Sequence, residues 1–102
     1  MFQQAMGEKP DIDAIFCTND DLAVGALLEC QAQQYDVPGK MAIAGFHGLE
    51  IGRARLQKIA SVITPRYDIG KTASEILIAR LAGKDAPDSV NLAYQIYYGD
   101  TL

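Results

Sequence analysis

Cysteine, basic charge and long apolar runs are all scarce in this 102-residue chain, and each shortage excludes something. A helix that crosses a bilayer needs about 20 consecutive apolar residues, and no such run occurs. The two cysteines, Cys17 and Cys30, fall in a strand-like and a helix-like segment rather than in stapled loops. Free thiols in a reducing compartment are therefore expected, not a disulfide framework. Nine Lys and Arg stand against 13 Asp and Glu, for a net charge of −4. Phosphate binding needs clustered cations, so this segment is not expected to grip nucleic acid by itself. Its one basic cluster, Arg53, Arg55 and Lys58, has Glu50 beside it and reads as a solvated or interface face. Met1 to Met6 lacks the charged start and apolar stretch of a secretory signal. It reads as the end of an amphipathic helix, so the chain is expected to begin mid-element. Nucleophile elbow, phosphate-cradling glycine loop and metal-ligand spacing are missing too. His47 could in principle serve Ser61 as a base with an Asp to orient it, but catalysis is not expected, nor is a cofactor or a metal.

What remains suffices for a core. The hydrophobic content is 49%, and 102 residues make one small domain or a piece of a larger one. Ala14-Ile15-Phe16-Cys17 is a short strand-like run after the breakers Gly7 and Pro10. Thr18 opens a Thr-x-x-Asp capping pattern, with Asp20 and Asp21 in the first helical turn, where negative charge suits the macrodipole. The helix that follows carries Leu22, Ala23, Val24, Ala26, Leu27, Leu28 and Cys30, apolar on nearly every side, and so is expected to contact something beyond its own sheet. After a Pro38-Gly39 turn, Met41 to Phe46 is continuously apolar, as in a parallel strand covered on both faces. Ile51 to Leu56 suits a short helix and Ser61 to Thr64 a third strand stopped by Pro65. Tyr67 to Leu81 repeats apolar residues at helical spacing, with Gly83 suited to the position after its end. Val90 to Tyr98 alternates as a last strand, in which Tyr94, Tyr97 and Tyr98 read as strand formers packing on the sheet.

The order β-α-β-(α)-β-α-β predicts an α/β fold, a mostly parallel sheet with helices on both faces. Asn19 with Asp20, His47, and Thr64 with Arg66 then lie just beyond the carboxyl ends of strands. Open α/β sheets bind ligands along that edge. A small polar ligand is the expected partner. Asp20 itself is expected to be a helix cap.

Asp13 to Ala26, Val37 to Phe46 and Ala60 to Pro65, followed by Gly70 and Ala73, resemble segments of the lactose-repressor and galactose-repressor transcription regulators in the same order. Gly45-Phe46-His47-Gly48 and Thr64-Pro65-Arg66 are most similar to the gluconate-operon repressors. The resemblance implies a periplasmic-binding-protein-like (type I) effector domain whose two lobes close on a sugar-like ligand. Residues 1–102 would be its C-terminal portion only, and operator DNA would be read by an N-terminal helix-turn-helix outside them. Asn19, His47, Thr64 and Arg66 would contact the effector. His47 stands where most members carry aspartate, and Thr64 replaces a common glutamine. Exchanging an acid for His47 removes a negative charge, and Arg66 adds a cation able to hold a carboxylate through two hydrogen bonds. A sugar acid such as gluconate is the ligand those changes suit. The resemblance also implies a cytoplasmic homodimer, with Leu22, Ala23, Ala26, Leu27, Ile51 and Arg55 at its interface and no membrane contact. A periplasmic sugar-binding protein of an uptake system is the alternative. By itself the segment is expected to associate, because the helix from Tyr67 would have lost its packing partner, and to bind little effector, because half the clamp would be absent.

Overall fold

The computed structural model describes residues 2–102. The chain runs α1 (Phe2–Glu8), β1 (Ala14–Phe16), α2 (Asp20–Ala32), β2 (Ala42–His47), α3 (Glu50–Arg53), β3 (Ala60–Ile63), α4 (Arg66–Leu81) and β4 (Gln95–Tyr97). Met1 lies outside the described residues; from Phe2 onward the opening segment is helical, as expected. One four-stranded sheet has the order β1-β2-β3-β4. Its first three strands are parallel, with Ala14 opposite Ala42 and Ala44 opposite Ala60. β4 closes the far edge antiparallel to β3, pairing Val62 with Ile96. The mostly parallel α/β sheet is thus present, and the last strand is shorter than its alternating pattern suggests.

The core lies between this sheet and one face of α2. Ala23, Val24, Ala26, Leu27 and Cys30 of the helix are buried with Met41, Ile43 and Ile59 beneath it. Phe2 and Met6 of α1 pack on the same cluster, and Gln3 donates a hydrogen bond of 2.7 Å to Glu29 of α2. Along β2 the residues facing α2, Ile43 and Gly45, are buried, while Ala42, Ala44 and Phe46 on the opposite face are only half-buried.

This arrangement divides the faces of α2. Ala23, Ala26 and Leu27, taken as interface residues, are buried in the chain's own core. The outward face consists of Asp21, Leu22, Gly25, Leu28 and Ala32. Leu22 and Leu28 leave two large apolar side chains on that face exposed. Of the remaining interface candidates, Leu22 and Ile51 are exposed and Arg55 is half-buried.

Thr101 ties down the sheet's other end. Its hydroxyl donates to the Ile43 carbonyl at 2.6 Å and accepts from the Ala60 amide at 2.9 Å. Its carbonyl accepts from the Ile43 amide. Nothing in the sequence marks this threonine as a bridge between two strands.

α4 stands apart, with no buried residue along its length. The Cα radius of gyration is 18.1 Å and the extents are 58 × 28 × 16 Å, whereas a compact chain of this length would have a radius of about 13 Å. Gly83 takes the left-handed conformation (φ +72°) just past the helix end, as its placement predicts. Tyr94 and Tyr98 do not pack on the sheet as expected: they are exposed, and only Tyr97 is half-buried. β4 spans three residues at the sheet's edge, so little surface is available to cover them.

Candidate functional site

Three connections leave the carboxyl ends of β1, β2 and β3 side by side: Cys17 to Asn19, Gly48 to Leu49, and Thr64 to Pro65. Parallel pairing guarantees this, because strands that run the same way end on the same edge. The sequence-predicted residues are therefore collected along one edge, though not equally.

His47 and Thr64 meet. The imidazole Nδ1 lies 3.4 Å from the Thr64 hydroxyl, and both residues are half-buried. The Phe46 ring stands edge-on to the imidazole at 4.7 Å, and Phe46 in turn meets Phe16 at 6.4 Å. Phe16, at the end of β1, is 64% exposed. An aromatic wall thus borders the histidine, and sequence reasoning missed it because both phenylalanines pass for ordinary strand formers.

Asn19 caps α2. Its side-chain oxygen accepts the Leu22 amide at 2.9 Å, and its own backbone is extended. The cap is one residue later than the Thr-x-x-Asp pattern suggests. With Oδ1 engaged, the amide nitrogen is the part of Asn19 left for a ligand. Arg66 begins α4, exposed, and forms no ion pair with Asp68 or Glu75. A cation at a helix start gains nothing from the macrodipole, so its position is not explained by helix stability.

Asp20 is the principal surprise. It is 1% exposed. Its Oδ1 accepts from the Ser61 hydroxyl at 2.7 Å, and its Oδ2 accepts from the Leu49 amide. It is not a solvated cap. Both oxygens of the acid are occupied beneath the ligand edge, so neither is left to accept from a ligand hydroxyl. Gly45 permits this approach, since a Cβ there would stand 2.2 Å from Asp20 Oδ1. A glycine inside a strand signals close packing, and that signal was legible in the sequence.

A groove of about 710 Å³ lies beside β1, bordered by Phe2, Ile12, Phe16, Cys17, Thr18 and Leu22, and so reaches the carboxyl end of that strand. Among the described residues no group of three or more His, Cys, Asp or Glu could hold a metal ion. Burial pushes both free thiols up, and Glu29 adds to the effect on Cys30.

The family described as periplasmic binding protein-like domain matches residues 1–102. The chain belongs to this family. The HTH-type transcriptional regulator IdnR of Escherichia coli is 50% identical over 103 residues, which cover all of this chain and 31% of that protein. A solved structure of the transcription regulator GntR from Chromobacterium violaceum superposes with a TM-score of 0.91 at 38% identity, over 99% of this chain and 38% of the other. A LacI-family transcriptional regulator from Silicibacter pomeroyi gives a TM-score of 0.83 at 35% identity, over 99% of this chain and 31% of the other. The resemblance to lactose-repressor-type regulators read from the sequence motifs therefore holds along nearly the whole chain. The chain spans about a third of the length of the curated relative it matches.

Proposed function

We infer that this chain is the effector-sensing segment of a DNA-binding transcriptional regulator and that its strand-end edge takes a sugar acid of the gluconate type. The observation that carries the ligand class is the polarity of that edge. His47 beside Thr64, the free amide nitrogen of Asn19 and the unpaired Arg66 offer donors, while Asp20 is withdrawn beneath them. A carboxylate ligand is attracted by such an edge, and a neutral sugar gains less from it. The exposed ring of Phe16 supplies an apolar surface against which a carbon chain can lie.

Regulation, not uptake, follows from the relatives, which are transcriptional regulators. Operator DNA would be read through a helix-turn-helix of the kind the E. coli relative's name records, since these residues carry a net charge of −4. The protein would work in the cytoplasm, as a homodimer and without catalysis. No helix among the described residues is long and apolar enough to cross a membrane. Leu22, Ile51 and Arg55 remain available to the dimer interface.

Isothermal calorimetry of the full-length gene product with gluconate, other aldonates and the corresponding neutral sugars tests this reading. Tighter binding of the acids is expected, together with a change in operator affinity. Preference for a neutral sugar overturns the ligand class, and lack of any operator binding overturns the regulator.

A further inference from the structure

We propose that Asp20 and Ser61 are positioning residues, whose buried hydrogen bonds hold the His47-Gly48-Leu49 turn so that His47 is presented to the effector. The inference rests on the effector-sensing reading above and assigns that edge its mechanical support.

Among the described residues His47 is one of two non-glycine residues with positive φ, at +91°. That conformation is uncommon for a residue with a Cβ and persists only where the surroundings enforce it. Gly48 follows at φ +69°. The enforcement is visible. The Gly48 amide donates to Ser61 Oγ at 3.1 Å, and the Leu49 amide donates to Asp20 Oδ2. The Gly48 carbonyl accepts from the Arg53 guanidinium at 3.1 Å. The one proton of the Ser61 hydroxyl is given to Asp20 Oδ1, so its lone pair is free to accept from Gly48.

Both side chains are shielded from water, Asp20 at 1% and Ser61 at 5% exposure. Charge-assisted bonds in such a place are strong and directional, and the N-terminus of α2 favours the anion. The glycines fit the same purpose. A Cβ at Gly45 would collide with Asp20, and one at Gly48 would stand 2.8 Å from Ile63 Cγ1. Two amides in succession are thus clamped to the floor of the sheet, and the residue before them is the one turned into a strained conformation. A cap for α2 would need none of this, and Asn19 already supplies one.

Ser61→Ala is the main variant, because it removes one bond at each side while leaving the Asp20–Leu49 bond; Asp20→Asn is the second. On the full-length gene product, NMR of Ser61→Ala is expected to show a moved His47 imidazole resonance, assigned by its loss in His47→Ala. Amide exchange at Gly48 and Leu49 should be about tenfold faster than in wild type, with that at Ala42 to Ala44 unchanged. Unchanged resonance and exchange overturn the positioning role, and this result needs no effector. On the full-length gene product, Ser61→Ala should weaken gluconate binding about tenfold. In a His47→Ala background the same substitution should cost nothing further. An equal loss in both backgrounds shows a merely structural serine and overturns the inference. If wild type binds no sugar acid yet the NMR changes occur, the ligand assignment fails while the clamp stands.

Discussion

Replacing Thr101 by valine removes one oxygen, keeps the shape, and should destabilise the sheet severely. Thr101 is fully buried (0% exposed). Its hydroxyl serves two strands, donating 2.6 Å to the Ile43 carbonyl of β2 and accepting 2.9 Å from the Ala60 amide of β3. Valine leaves both groups in place, dry and without that partner. Each orphaned buried group costs about 1–3 kcal/mol, so the pair should cost about 2–6 kcal/mol. At about 4–8 °C per kcal/mol for a domain of this size, that is a fall in Tm of at least about 8 °C. Thr101→Ser separates hydroxyl from volume, because it keeps the hydroxyl and loses one methyl, at a cost of about 1 kcal/mol. Differential scanning calorimetry of the two variants decides. A valine variant that melts within about 3 °C of wild type refutes the reasoning. So does a serine variant that loses as much as the valine one.

Arg66→Ala should weaken binding of an aldonate by about 2 kcal/mol, near 30-fold, and that of a neutral sugar little; equal losses in calorimetry on the full-length gene product would count against a carboxylate contact. Ile51→Glu, at an exposed position, should shift the sedimentation of the intact regulator from dimer towards monomer with its Tm nearly unchanged. Ala26→Glu is no such test, because Ala26 is buried and a charge there should unfold the segment. Burial raises the Cys17 and Cys30 thiols above their ordinary value. Both should therefore react slowly with iodoacetamide at neutral pH, Cys30 the slower of the two. Stability that is fully present below the ordinary thiol value should be lost as pH climbs through the raised one, and a pH-independent urea midpoint across that window would contradict it.

The elements were largely legible. Ala14 to Cys17, Met41 to Phe46 and Ser61 to Thr64 lie within a residue of β1, β2 and β3, because continuous apolar runs bounded by breakers leave few alternatives. α4 was likewise written in its spacing and in Gly83. The site was legible as a list of strand-end residues, since parallel strands bring their ends together whatever the details. The helix cap was misplaced by one residue, a difference that Thr18 and Asn19, both good caps, do not declare.

Local pattern by itself determined the strands, the helices, the parallel α/β class and the edge along which His47, Thr64 and Arg66 lie. Those features depend on residues close together in the chain. Only the tertiary structure decided that Asp20 is a buried clamp and not a cap, because its partner Ser61 is 41 residues away. Likewise it turned Ala23, Ala26 and Leu27 inward and set Thr101 between two strands. The physical reason is the same in each case. Hydrophobic periodicity says which side of an element avoids water, but a buried hydrogen bond depends on which distant group arrives opposite it, and only packing supplies that partner.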